Sequence, residues 1–265
     1  MIDRVKAEKA FMEYADNYDT SDVMIKSKID HTFRVSENAD RIARSLKMND
    51  EDIDLAYMSG LLHDFGRFEQ VKRYGTFIDS HSVDHAELGA DILFNDGKIK
   101  LFSEAGLKDE AYELMETAIR QHNKLKLQDG LDDRTETFCN ILRDSDKLDI
   151  FRVIFEMPFE QRVGKSRDLF EDKEEASEEC MEYVRLHRCI PRNLIHSIFE
   201  VSLSHLCFAF ELVFEESRTI AVEQGYLKQL FSETDENGRP LWKDKEINQL
   251  RIVRNEVEKC WGKVL

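Results

Sequence analysis

The stretch SGLLHDFGRFEQ, residues 59–70, decides how the rest of the chain is read. It continues an apolar run in which Leu55, Met58, Leu61 and Leu62 recur at the spacing of one helix face. That helix ends on two adjacent polar residues, His63 and Asp64, with Gly66 as its expected stop. A neighbouring imidazole and carboxylate can hold one divalent ion together, provided other helices deliver more donors. The donors available for that are His31, His85, His122 and Asp146.

Reading outward, Asn49 or Asp50 caps this helix. Upstream, one helix is expected over 3–18. A second starts near Ser21 or Asp22 and carries Ile25, Ile29, Val35, Ala39, Ile42 and Leu46 on one face. Downstream, 67–80 reads as a loop with Gly75. Helices follow over 82–95, 108–123 and 134–150, parted by Asp96-Gly97 and Gln128-Asp129-Gly130. Past Met157-Pro158 the pattern stays helical: a loop over 160–172, helices over 173–187, 192–223 and 244–262, and a loop over 232–240. No stretch alternates long enough to make a sheet. Three prolines and eleven glycines in 265 residues leave few helix breakers. The fold class expected is all-α: a helical domain over 1–157 and a helical extension over 158–265 packed on it, with no flexible linker between them.

Composition narrows the partners. Hydrophobic residues at 42% supply a sizeable core for this length. A formal charge of −16 disfavours nucleic acid and anionic membranes. The longest apolar stretch, 203–214, is broken by Ser204, His205 and Glu211, so no membrane span is expected. Five scattered cysteines without a C-x-x-C pair read as reduced thiols. The N-terminus is charged and lacks the apolar centre of a signal peptide. Together these point to a cytoplasmic protein, with a second copy of the chain left open as a partner.

Each candidate donor falls on the core-facing stripe of its own helix. His31 aligns with Val35, Ala39 and Ile42, and His85 with Leu88, Gly89 and Ile92. His122 follows Met115, Ala118 and Ile119, and Asp146 follows Cys139 and Leu142. A lone histidine on such a stripe is ordinarily a hydrogen-bonded core residue. The aspartates change that reading, because a buried carboxylate without a partner is costly. A cation among histidines and aspartates facing one core removes the cost. Arg67, three residues past Asp64, and Lys147, next to Asp146, are the basic residues nearest the candidate donors, with Arg34 one turn from His31 as a further candidate lining residue. His81 competes with His85, since both would face one way on a shared helix. The island of Arg185, His187, Arg188 and Arg192 reads as a solvated helix junction. His196 and His205 read as core, and Phe199, Phe208, Phe210 and Phe214 as packing. Phosphate-binding glycine loops and a G-x-S-x-G elbow are missing.

The chain resembles the HD-domain superfamily of metal-dependent phosphohydrolases. The resemblance rests on His31 in DHTFRVSENA, His63-Asp64 in SGLLHDFGRFEQ and Asp146 in LRDSDKLD, within about residues 20–150. His85 in DHAELGADIL and His122 in IRQHNKLK match the extra histidines of members that hold two metals. The resemblance implies an HD-type helical bundle. It implies a first ion on His31, His63, Asp64 and Asp146, and a second on His85 and His122, bridged by Asp64. Imidazole and carboxylate suit Mn, Fe, Co, Ni or Zn. The implied reaction is hydrolysis of a phosphate ester, in a nucleotide or other small phosphorylated metabolite, by metal-activated water, with Asp64, Arg67 and Lys147 as catalytic residues. The alternatives are a di-iron oxygenase on the same fold and a non-catalytic, metal-stabilised regulatory or ligand-binding protein. The cyclic-dinucleotide branch is not favoured, because its glycine-tyrosine-proline signature is missing. Nothing over 158–265 matches a motif.

Overall fold

A computed structural model describes residues 2–102, 108–157, 175–234 and 237–265. Among them the fold is all helical, with one isolated bridge between Thr234 and Pro240 and no strand. None of the described helices is long and apolar enough to cross a membrane. The chain divides into two compact units, Met1–Asp149 and Ile150–Leu265.

The first unit is built around α3, Asp50–Leu62. From Leu55 to Leu62 every residue is buried, so this helix is apolar on all sides and sits at the centre. Burying Met58, Leu61 and Leu62 contributes about 1.5–3 kcal/mol each. Asn49 starts it, its side chain accepting the Asp52 N–H at 2.9 Å. Helix α1, Arg4–Ala15, and α2, Val23–Ser45, precede it. Helices α2 and α3 pack closely because Gly60 has no side chain: a Cβ there would stand 2.7 Å from Ser36 Cα.

The segment after Asp64 is not a loop. Helix α4 runs Phe65–Tyr74. Gly66 looked like a terminator, but it is a packing position. A Cβ on it would meet the His85 carbonyl at 2.4 Å and Gly89 N at 2.5 Å. The true stop is Gly75, at φ +65°. Across that glycine contact lies α5, His85–Ala90, which continues as a π turn over Asp91–Asn95. Asp84 caps α5 through the N–H groups of Ala86 and Glu87. Helix α6, Asp109–Gln121, and α7, Asp133–Glu156, complete the elements that reach the site.

In the second unit α8 is Glu178–Arg185, α9 Ile198–Leu206, α10 Glu215–Gln224, α11 Tyr226–Leu230 and α12 Asp244–Trp261. The expected helix over 192–223 is broken. One turn spans Arg192–Leu194, α9 follows, and the chain leaves the helix at 212–214 before α10. The guanidinium of Arg218 donates to the Leu212 carbonyl at 3.0 and 3.1 Å, meeting an acceptor that the helix no longer satisfies. His196 is exposed ahead of α9, not in the core. Along α12, Leu250, Val253, Val257 and Trp261 are buried, and the Trp261 indole donates to the Ala209 carbonyl at 3.0 Å. The expected loop over 160–172 lies outside the described residues.

Candidate metal centre

Helix ends supply four of the six donors. His63 closes α3 and Asp64 stands at the start of α4, its carboxylate making no cap and so left free to face inward. His85 is the first residue of α5, and His122 follows the last residue of α6. His31 and Asp146 come from the interiors of α2 and α7. The four histidines and Asp64 are at most 4% exposed. The Asp146 side chain retains 16% exposure.

Every one of the four imidazoles is held from outside by its Nδ1. His63 Nδ1 lies 2.7 Å from the Gly60 carbonyl and His122 Nδ1 lies 2.6 Å from the Ile119 carbonyl. Both acceptors belong to the last turn of the helix that the histidine closes. His31 Nδ1 is 2.7 Å from Asp149 Oδ2, and His85 Nδ1 is 2.6 Å from Asp79 Oδ2. Carbonyls and carboxylates only accept, so Nδ1 carries the proton in each ring. In the neutral rings the Nε2 lone pairs are then turned inward.

Those lone pairs meet in two groups around Asp64. In the first, His31 Nε2 and His63 Nε2 are 3.3 Å apart. Asp64 Oδ2 is 3.7 and 3.5 Å from them, and Asp146 Oδ1 is 3.1 and 3.7 Å from them. In the second, His85 Nε2 and His122 Nε2 are 3.0 Å apart, and Asp64 Oδ1 is 3.3 and 3.9 Å from them. One carboxylate thus turns one oxygen to each histidine pair. Two acceptor nitrogens at 3.0 Å repel unless a cation or proton sits between them. Donors around one ion with bonds of about 2.1 Å stand about 3.0–3.4 Å apart; both nitrogen pairs lie in that range, and the carboxylate oxygens stand 3.1–3.9 Å from the nitrogens, within it or just outside it.

Electrostatics support the same chemistry. Burial drives His63 toward neutrality and lowers its pKa. Burial, then His85 and His63, push His122 down to about 3. Burial and Lys28 also press on His31, but its hydrogen bonds to Asp146 and Asp149 outweigh them and raise its pKa. Burial alone would raise the pKa of Asp64. Lys28, His63, Arg67 and His85 overcome it and hold the carboxyl well below the usual range. Asp146 is likewise lowered, with His31 and His63 outweighing burial.

Arg67 is anchored. Its Nη1 donates to Gln70 Oε1 at 3.0 Å, the Phe77 carbonyl at 2.5 Å and Asp79 Oδ1 at 2.8 Å. Its Nε lies 3.4 Å from Asp64 Oδ1. Lys147 is buried and Arg34 exposed. His81 is exposed on a separate turn, Asp79–His81, so it does not share a helix with His85.

Three residues of the site escaped the sequence reading. Lys28 places Nζ 2.6 Å from Asp64 Oδ2. It lies three residues before His31 on α2, a signal that helical spacing could have given. Asp149 likewise follows Asp146 by three. Asp79 lies outside any long helix and left no periodic trace.

Residues 29–151 match the family described as HD domain. This segment is an HD domain. Over 148 residues the chain is 29% identical to an uncharacterized protein of Methanocaldococcus jannaschii, which covers 52% of this chain and 78% of that protein. The HD domain places the segment in a family of metal-dependent hydrolases whose members bind divalent metals. The described residues include the clusters His31, His63, Asp64 and Asp64, His85, His122, either of which could hold an ion.

Proposed function

We propose that this HD domain is a phosphohydrolase that cleaves a phosphate ester in a small metabolite, with nucleotides the favoured class. The observation that carries the reading is the Asp64 carboxylate, whose two oxygens face two inward-turned histidine pairs. His31, His63, Asp64 and Asp146 would hold one ion; His85, His122 and Asp64 would hold the other. Divalent Mn, Fe, Co, Ni or Zn in such a site lowers the pKa of water and neutralises charge on phosphoryl oxygens.

The chain's own residues set up that chemistry. Asp149 and Asp79 fix the tautomer and aim of His31 and His85. Arg67 ties Asp64 to Asp79, so its main work is positioning. Lys147, next to Asp146, and Lys28 bring further positive charge to an acidic chain, which favours a small anion over a polymer.

The test is a hydrolysis screen of purified protein supplied with Mn, Co, Ni or Fe. Phosphate release is expected from a phosphomonoester, phosphodiester or nucleotide, without oxygen consumption, and it should vanish in Asp64→Ala. Silence across the panel would overturn the reading, and oxygen uptake would move it to the oxygenase class.

A further inference from the structure

Asp64 Oδ2 has a neighbour that a metal ligand does not ordinarily keep. The Lys28 ammonium lies 2.6 Å from it, on the same oxygen that faces His31 and His63. The two side chains differ in access: Lys28 is 25% exposed, and Asp64 is 3% exposed. The lysine stem therefore runs from the solvent edge down to the buried carboxylate. Its position on α2, three residues before His31, points it along the face that carries the first donor group.

An ammonium at 2.6 Å and a divalent ion on the same carboxylate oxygen would repel each other strongly in a buried setting. Arg67 cannot yield in the same way, since three acceptors anchor it. Lys28 has a flexible four-carbon stem, and Asp64 is the partner its ammonium holds.

We propose that Lys28 is a displaceable counter-cation: it neutralises Asp64 while the first donor group is empty, is released when an ion binds there, and then offers its ammonium to the substrate's phosphate. The first part stands on the geometry around Asp64 alone. The last part rests on the phosphohydrolase reading.

The test uses the full chain and three measurements. Mn(II) titration of metal-free protein comes first, in a His122→Ala background that leaves the first donor group whole. Lys28→Met should tighten Mn(II) binding about tenfold, because the ion no longer displaces a resident charge. The gain should persist in 0.5 M KCl, because a buried contact is screened far less than a distant field. Lys28→Arg, which keeps the charge, should not show it. Second, metal-free Lys28→Met should melt at a lower temperature than the parent, and added Mn(II) should remove the gap. Third, inorganic phosphate should bind Mn(II)-loaded Lys28→Met about tenfold more weakly than the parent, with Lys28→Arg close to normal. Unchanged Mn(II) affinity, or a gain that disappears in high salt, would overturn the displacement. Unchanged phosphate binding would overturn the hand-over to substrate. If the hydrolysis screen were silent while the Mn(II) result held, the phosphate reading would fall and the displacement would stand.

Discussion

The first donor group draws on helix interiors, whereas the second is assembled from helix ends. His31 and Asp146 sit inside α2 and α7, of 23 and 24 residues, and His63 closes the buried central helix. His85 opens a helix of only 6 residues, and His122 follows the last residue of α6. The second pair is held by bracing from short segments. Asp79 grips His85, and Asp84 caps α5 while accepting from Asn123 at 2.8 Å and Lys124 at 2.6 Å, just beyond His122. The first group also has a second carboxylate, Asp146, which the other lacks. The contrast teaches that one candidate centre can combine a charge-rich half set largely in long helices with a half set on helix ends and short segments. The first half should bind its ion more tightly, and the second should be easier to lose.

The largest expected effect separates the halves directly. His31→Ala should cost more than a hundredfold in hydrolysis, as expected for loss of a ligand at the tighter site. His122→Ala should leave one ion bound in elemental analysis of the purified protein. Equal metal loss in both variants would erase the distinction between them.

The outer carboxylates come next. Asp79→Asn should weaken the weaker class of metal binding about 10–100-fold, and Asp149→Asn the tighter class by a similar factor. Calorimetric titration resolves the two classes; a change in the wrong class would reassign the partners. Smaller still is the packing effect of Gly66→Ala. Its added methyl collides with the His85 backbone, and the cost should be about 1–3 kcal/mol in denaturant unfolding. The second metal class should weaken as well, because α5 is pushed from Asp64.

The last effect is a pH dependence of metal-free stability. His122 is held at about 3 when folded, against an ordinary 6.5. As pH falls from 6.5 toward 3 the unfolded chain takes up a proton that the folded chain refuses, so stability drops through that window. His31 acts in the opposite sense, since its raised pKa adds stability at low pH that is lost as pH rises. His122→Asn should therefore lose less stability than the parent between pH 7 and 5. Parallel losses in urea midpoints would contradict the assignment.

Much of the centre was legible because its donors obey helix periodicity. His31, Asp146 and the residues around them repeat with the buried stripes of α2 and α7. The limits were physical too. Gly66 carries the signal of a helix stop, yet it serves close packing, so α4 was hidden in the sequence. No glycine or proline interrupts 203–214, and Arg218, folding back onto Leu212, marks the break. Lys28 reads as a solvated charge until α2 and α4 are seen together. Asp79 reaches His85 from a short turn, where no period reports what a side chain touches.

The central claim is that one carboxylate serves both donor groups. Mn(II) titration of metal-free protein, in parent and Asp64→Ala side by side, tests it most directly. The parent should bind two ions in two classes, and Asp64→Ala should lose both classes. Retention of either class at parental affinity would contradict a shared Asp64.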